Sequence, residues 1–401
     1  MKKIIYLLLA LSAFNSFAQT ALPTGDPLLS GLSKDGIKRV DTFLASQTDQ
    51  QLIPGTIGMI VRHGKVVYKK AFGKANLETG EAMRTDHLFR MASMSKIITA
   101  VAGLKLYERG LFTMDTPLEE ILPEFANMQV LVGYDTLKHQ FITRPAKYKI
   151  LMKHVFTHTS GIAYPPFATL GHEAYVKANI TFAFPKVNSG LKLSEIIQQV
   201  AKLPLTHEPG ESWTYGMNLE VLGRVIEKLD GRSFPDFLRQ EIFSPLKMTR
   251  TFIGVPKEEW KNVTQVYTRK SDGQLGIYTD QIGRKLMGFS TETSMDFWKD
   301  TNTQLAMGGT DIMSNVDDYA RFFQMLLNYG QLDGAQILSK KTVEMIEKPL
   351  FDLETNDGVA YGVTGRSRFK AGITVYVYPE EQAKFETISS GSYFWLGYFG
   401  T

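Results

Sequence analysis

Ser93 and Lys96 stand three residues apart at the head of an apolar stretch, Phe89-Arg-Met-Ala-Ser-Met-Ser-Lys-Ile-Ile-Thr-Ala-Val-Ala-Gly-Leu-Lys-Leu-Tyr-Glu-Arg-Gly110. Residues at this spacing share a helix face, so the hydroxyl and the ammonium can meet. A lysine beside an apolar core loses solvation, its pKa falls, and a neutral, proton-accepting amine comes within reach. A serine next to such an amine is an activated nucleophile. The helix start adds unpaired N–H groups and a partial positive charge, which suit a developing oxyanion. Ser-x-x-Lys occurs four times, at Ser93, Ser189, Ser244 and Ser367. Only Ser93 opens a long apolar run: Ser189 precedes Gly190, Ser244 precedes Pro245, and Ser367 lies between two arginines. The plainer reading lets Ser93 cap the helix while Lys96 reaches for solvent.

Tyr215 is a second candidate. It follows the turn Glu208-Pro-Gly-Glu-Ser-Trp-Thr and precedes a helix, where a side chain can be presented into a cleft. The ordinary tyrosine pKa is near 10, and an ammonium alongside makes the phenolate accessible as a general base. Without a partner it reads as a half-buried tyrosine bonded to backbone. His154 and His158 are four apart, a spacing that can hold zinc, but no His-Glu-x-x-His pattern joins them and Thr159-Ser160-Gly161 breaks the helix at once. No Gly-x-Ser-x-Gly elbow and no Gly-rich phosphate loop occurs.

The elements that must position these residues follow from periodicity and turn chemistry. Phe89–Gly110 reads as one buried helix, apolar nearly all round and stopped by Gly110. Before it, Ile37–Ser46 is amphipathic, and Thr56–Val61 and Lys65–Ala71 flank Arg62-His63-Gly64 as a hairpin. Lys147–Thr157, Ser194–Ala201 (capped by Ser194), Asn218–Leu229 (closed by Gly231) and Phe234–Ile242 read as helices. Val266–Thr279 reads as a surface hairpin, while Leu286–Asn302 follows neither period. Asp317–Tyr329 turns Tyr319, Phe322, Phe323, Leu326 and Leu327 inward, Leu338–Ile346 is helical, and the chain is strand-like from Gly358. Phe385–Thr401 reads as a strand with Gly397 and Gly400 where backbone can approach a ligand. Strands, a helical block and strands again predict an α/β fold in the α+β sense, with a mostly helical subdomain inserted after the first strands.

Composition bounds the rest. The 401 residues are 43% hydrophobic and 21% charged, ordinary for a globular protein, and contain no cysteine and hence no disulfide. Met1–Ala18 has Lys2 and Lys3, an apolar run Ile4–Phe14 and a Ser-Phe-Ala ending, which predicts a signal peptide and a periplasmic or secreted location. Its apolar run is too short for a permanent membrane anchor. Cleavage removes two lysines, so the net charge falls from +4 to +2, and nothing points to nucleic acid or an anionic membrane as partner.

Together these residues resemble the serine hydrolase superfamily of class C β-lactamases, penicillin-binding DD-peptidases and related esterases. Phe-Arg-Met-Ala-Ser93-Met-Ser-Lys96 is similar to its nucleophile motif, Leu151–Gly161 to its His-Thr-Ser-Gly segment, and Pro209–Tyr215 to the approach to its tyrosine. Asp318–Asn328 and Gln331–Ser339 look like later family helices. The resemblance implies a β-lactamase/transpeptidase-like fold, an antiparallel sheet flanked by helices plus a helical subdomain. The implied domain is 19–401, with its α/β part near 37–90 and 305–401 and the helical part near 91–304. Family members continue beyond the last motif, so the chain is expected to be truncated at its C-terminus.

The implied roles are Ser93 as nucleophile, Lys96 and Tyr215 sharing the proton work, and the N–H groups of Ser93 and Tyr398 as oxyanion hole, with Trp395 and Gly397 in the substrate wall. Two departures matter. Position 217 is Met217 where β-lactamases carry asparagine, and Tyr215-Gly-Met-Asn-Leu-Glu-Val-Leu-Gly resembles the esterase branch. Trp395-Leu-Gly397 stands where Lys-Thr-Gly is expected, and tryptophan brings no charge for a carboxylate. The resemblance therefore implies an acyl-enzyme hydrolase of carboxylic esters that needs no metal or organic cofactor. β-Lactams or D-amino peptides of the cell wall come second as substrates. A sensor acylated once without turnover, and a zinc hydrolase, are the readings of other classes. Partners are small molecules, and the oligomeric state stays open.

Overall fold

The computed structural model describes residues 21–401 except 136, 139, 165–176, 302–304, 353–369 and 385–386. The expected leader, the Ser367 motif and much of the expected strand region from Gly358 lie outside the described residues. Helix α1 (Lys34–Asp49) starts at Ser33, whose hydroxyl accepts the Gly36 N–H, and packs on the hairpin β1 (Gly55–Arg62) and β2 (Lys65–Asn76). β2 also pairs with β3 (Glu81–Ala82), giving an antiparallel sheet ordered β1-β2-β3.

The stretch expected as one helix is three pieces. Phe89–Arg90 is a short strand, β4, Ala92–Met94 is a 3-10 turn, and helix α2 runs from Ser95 to Glu108. The reason is non-local: β4 pairs antiparallel with β9 (Met313–Ser314), a pairing that local propensity cannot announce. The rest of the stretch is as the pattern predicts. Ile97, Ile98, Ala100, Val101, Ala102, Leu104 and Leu106 are fully buried, and Gly110 follows with φ +72°.

Around α2 lies the helical block. It contains α3 (Met152–Thr157), α4 (Leu193–Val200) and α5 (Asn218–Asp230), the last ended by Gly231 at φ +87°. Expected boundaries shift for identifiable reasons. Residues before Met152 are held extended against 116–118, with Leu118 N donating to Ile150 O (2.8 Å) and Met152 N to Thr116 O (3.0 Å). Ser194 lies inside the first turn of α4; the cap is Lys192, whose N–H donates to Glu195 Oε2 (3.0 Å). Phe234–Leu238 is α-helical and passes into a π turn, Arg239–Phe243. The block also carries an antiparallel hairpin, β5 (Gln129–Asp135) and β6 (Gln140–Pro145), whose register shifts between Leu131 and Gly133.

After the block, β7 (Tyr267–Arg269) and β8 (Leu275–Ile277) form the expected surface hairpin. The unassigned stretch is bounded by helices at Asp280–Met287 and Phe297–Lys299. Helix α6 (Val316–Leu327) buries Tyr319, Phe322 and Leu326 as expected, but Leu327 is 62% exposed, since it falls past the edge of the buried stripe. Lys340–Ile346 is the next helix, capped by the Ser339 hydroxyl on Thr342 N–H. A last antiparallel sheet runs in the order β10 (Phe351–Asp352), β11 (Lys370–Ala371), β12 (Tyr376–Val377), β13 (Tyr393–Phe394). The expected strand to Thr401 is thus only two residues long, because Gly397 N bonds to Thr401 O (2.6 Å) and Gly400 N to Gly397 O (3.0 Å), curling the end into a turn. Among the described residues no helix is long and apolar enough to cross a membrane.

Candidate active site

Ser93 sits in the 3-10 turn that opens α2, where N–H groups have no intrahelical acceptor. Its neighbour Ala92 is fully buried with φ +45°, a left-handed conformation that costs a non-glycine residue of order 1–3 kcal/mol and marks a site held by its surroundings. Those surroundings are the β4–β9 pairing before it and α2 after it. Tyr215 is placed by the tight turn into α5. Gly216 presses on the Ile162–Ala163 backbone so closely that a Cβ would stand 1.8 Å from Ile162 O.

The two segments bring the predicted residues together. Ser93 Oγ lies 2.6 Å from Tyr215 OH, and the Lys96 amine donates to Ser93 Oγ at 3.3 Å. Lys96 is wholly buried, donates to Gly309 O (2.9 Å), and stands over the rings of Tyr215 and Tyr164 at 4.9 and 5.1 Å. Burial pulls its pKa down to about 8, against the pull of Glu220 and Asp311. Burial pushes the Tyr215 phenol well above its usual value, while its hydrogen bond with Ser93 works the other way. Lys96 is therefore the group of the three that can be uncharged and basic near neutral pH.

A cavity of about 280 Å³ opens in front of Ser93. Trp395, Gly397 and Tyr398 form one wall, and Phe182, Phe184, Phe289, Met287 and Tyr376 line much of the rest. Its lining among the described residues contains no Lys, Arg, Asp or Glu. Trp395 packs on Tyr376 (4.6 Å between centroids) and Tyr215 (5.8 Å). Gly397 is required where it is, since a Cβ would meet Met91 O at 2.6 Å. Among the described residues the Tyr398 N–H joins none of the backbone hydrogen bonds of its turn. Its hydroxyl meets Tyr278 OH at 3.2 Å.

The two histidines have other work. His154 Nδ1 accepts the Leu151 N–H (3.2 Å), and His158, at φ +58° where α3 ends, sits with Nδ1 3.0 Å from Asn218 Nδ2. Ser160 Oγ donates to the other end of that amide (2.6 Å), which explains Asn218 at the start of α5. Burial holds His158 well below its usual pKa, so it is a neutral strut behind Tyr215, 5.1 Å away between ring centroids. No cluster among the described residues could hold a metal ion.

Sequence reasoning missed Tyr164, Glu220, Gly309 and the cavity aromatics. Tyr164 OH donates to Glu220 Oε1 at 2.5 Å, and both are buried. Glu220 was visible as the acid of the Tyr215-to-Gly223 stretch, but an acid in a helix's first turn reads as dipole compensation.

Known proteins resemble this chain along most of its length. Acyltransferase mokF of Monascus pilosus is 28% identical over 328 residues, covering 80% of this chain and 72% of that protein. Esterase EstB of Burkholderia gladioli is 31% identical over 210 residues, 52% of this chain and 50% of the esterase. Among solved structures, EstCE1, described as a hydrolase with promiscuous acyltransferase activity, superposes with a TM-score of 0.74 at 22% identity, covering 91% of this chain and 88% of that one. That likeness carries the fold, a β-lactamase/transpeptidase-like arrangement of antiparallel sheets and helices. The Beta-lactamase family profile matches residues 40–401, and the chain belongs to that family as a serine hydrolase.

Proposed function

We propose that the protein transfers acyl groups from carboxylic esters through an acyl-enzyme on Ser93, to water and to small alcohols. The observation that carries this reading is the pairing of the Ser93–Lys96–Tyr215 cluster with an aromatic cavity whose described lining has no cation. An ester of a neutral, apolar acid is satisfied by such walls, whereas the carboxylate of a β-lactam or a D-amino peptide finds no charged partner among the described lining residues. The names of EstB and mokF, an esterase and an acyltransferase, support the same choice.

In this scheme Ser93 Oγ attacks the ester carbonyl while its proton passes to the neutral Lys96 amine. The carbonyl oxygen becomes an oxyanion near the N–H groups of Ser93 and Tyr398, each such donor contributing roughly 10²–10³ in rate. The Tyr215 phenol, already against Ser93 Oγ, protonates the departing alkoxide and is reprotonated by the Lys96 ammonium; the Lys96/Tyr215 pair then takes a proton from water or an alcohol as its oxygen attacks the acyl carbonyl, and returns a proton to Ser93 Oγ as the acyl group leaves. The leader Met1–Ala18 supports export to the periplasm or medium.

The test gives the matured protein a short-chain nitrophenyl ester and a chromogenic cephalosporin in parallel, with Ser93→Ala as control. Ester turnover that needs Ser93, with little cephalosporin turnover, is expected. Fast cephalosporin turnover would overturn the substrate choice, and a long-lived adduct without product would make the protein an acylated sensor.

A further inference from the structure

Lys96 is a fully buried amine, and such a group is costly unless something balances the charge it gains on protonation. The groups facing it come from several segments. Ser93 lies on its own turn, Tyr164 follows the His-Thr-Ser-Gly loop, Tyr215 and Glu220 flank the start of α5, Gly309 O and Asp311 come from the turn before β9, and His158 lies behind Tyr215. Two of these are acids. Asp311 is already occupied, accepting from Met307 N (2.8 Å), Phe184 N (3.2 Å) and Thr310 Oγ1 (2.7 Å), so its work is to fold the turn that carries Gly309. Glu220 is different. Its Oε1 takes the Tyr164 hydroxyl at 2.5 Å, and its Oε2 is buried with no hydrogen bond.

Glu220, Tyr164 and Lys96 converge on one point. A Cβ on Gly309 would lie 2.2 Å from Glu220 Oε1, 2.7 Å from Tyr164 OH and 2.8 Å from Lys96 Nζ. Only a residue without a side chain leaves room for the three polar ends around that point. We propose that Glu220, oriented by the Tyr164 hydroxyl across Gly309, is a positioning residue that keeps the Lys96 amine on Ser93 and balances the ammonium formed when Lys96 takes the serine proton. The inference rests on the acyl-enzyme reading above. Burial raises the Glu220 carboxyl, while Lys96, the Tyr164 hydroxyl and nearby N–H groups act to keep it charged. In return Glu220 raises Lys96 against burial.

The experiment compares the pH profile of kcat/KM for nitrophenyl ester hydrolysis in wild type, Glu220→Gln and Tyr164→Phe. Glu220→Gln keeps the shape and the Tyr164 hydrogen bond but loses the charge. Its kcat is expected to fall by roughly 10- to 100-fold with KM little changed, as for a slightly misplaced base. Its acid limb moves to lower pH, because the group that raised Lys96 is gone. Glu220→Asp restores the limb toward the wild-type position. Tyr164→Phe moves it the same way by less, and carries the test should Glu220→Gln fail to fold. A uniform loss of rate with an unmoved limb overturns the proposal. Phosphonate labelling of the wild type separates this from failure of the parent reading: absence of label on Ser93 sinks the acyl-enzyme scheme, whereas label on Ser93 with an unmoved limb sinks the role of Glu220 alone.

Discussion

At the residue scale the proposed chemistry turns on a lysine whose burial lowers its pKa. With a pKa near 8, Lys96 is mostly charged at pH 6 and mostly neutral at pH 9, so kcat/KM for a neutral ester rises with pH through about 8 and levels above it. A flat profile between pH 6 and 9 would remove Lys96 as the base. The same burial costs stability. The folded protein holds this proton less tightly than the unfolded chain does, so the penalty is fully present below pH 8 and fades as pH rises toward the ordinary lysine value of 10.5. Lys96→Met keeps most of the side chain's length without the charge. It is expected to abolish ester turnover and, because it leaves Gly309 O without its donor and the buried Glu220 carboxyl without its cation, to destabilise the fold at pH 7 by roughly 1–3 kcal/mol, a deficit that grows above pH 8 as the wild type sheds its penalty. Urea unfolding at pH 7 and pH 9.5 reads the sign directly; a variant as stable as wild type at pH 7 contradicts it.

At the scale of elements, glycines let segments approach where side chains would hold them apart. Gly216 lies on the Ile162 backbone, and Gly308 lies against the start of α5, where a Cβ would be 2.3 Å from Leu219 O. Backbone cannot yield as a flexible side chain can. Gly216→Ala is therefore expected to cost about 1–3 kcal/mol or more and to move Tyr215 off Ser93. Thermal unfolding and phosphonate labelling rate check both; a native labelling rate would show that the turn can relax. Elements of this kind divide into those that the sequence announces and those that it hides. The hairpin β1–β2 and helices α1, α5 and α6 are legible because their apolar period and their caps are local. The same holds for Ser93, Lys96 and Tyr215, which lie at the heads of legible helices. What is hidden depends on distant partners. β4 looks helical until Met313–Ser314 pairs with it, and Ser93 is thereby set in a 3-10 turn ahead of α2. Glu220 looks like a surface acid until Tyr164 and Gly309 enclose it. Phe182, Phe184 and Phe289 lie in segments without a period, so no local pattern could assign them to a cavity wall.

At the scale of the whole molecule, one side chain ties the turn bearing Ser93 to the segment that follows the helical block. Arg90 is buried, and its guanidinium donates to Thr264 O (2.8 Å) and to Met295 O through two nitrogens (3.0 and 3.3 Å), with Trp298 beneath it at 5.6 Å. Its backbone pairs with Met313, and its own carbonyl and that of Met91 meet the Thr401 hydroxyl at 3.4 and 3.2 Å. Residues 264, 295, 313 and 401 are thus all anchored within three positions of Ser93. Shape alone cannot replace this, because the carbonyls of Thr264 and Met295 would lose their donors inside the protein. Arg90→Met is expected to destabilise by roughly 2–4 kcal/mol, about one buried unsatisfied group for each carbonyl, softened by the desolvation that the arginine no longer incurs. Because the ties converge on the turn bearing Ser93, activity should be lost at lower urea than the bulk of the tryptophan fluorescence change, whereas in wild type the two transitions are expected to coincide. Coincident transitions in the variant would mean that Arg90 supports the fold evenly, and that the turn bearing Ser93 is held by β4 and α2 alone.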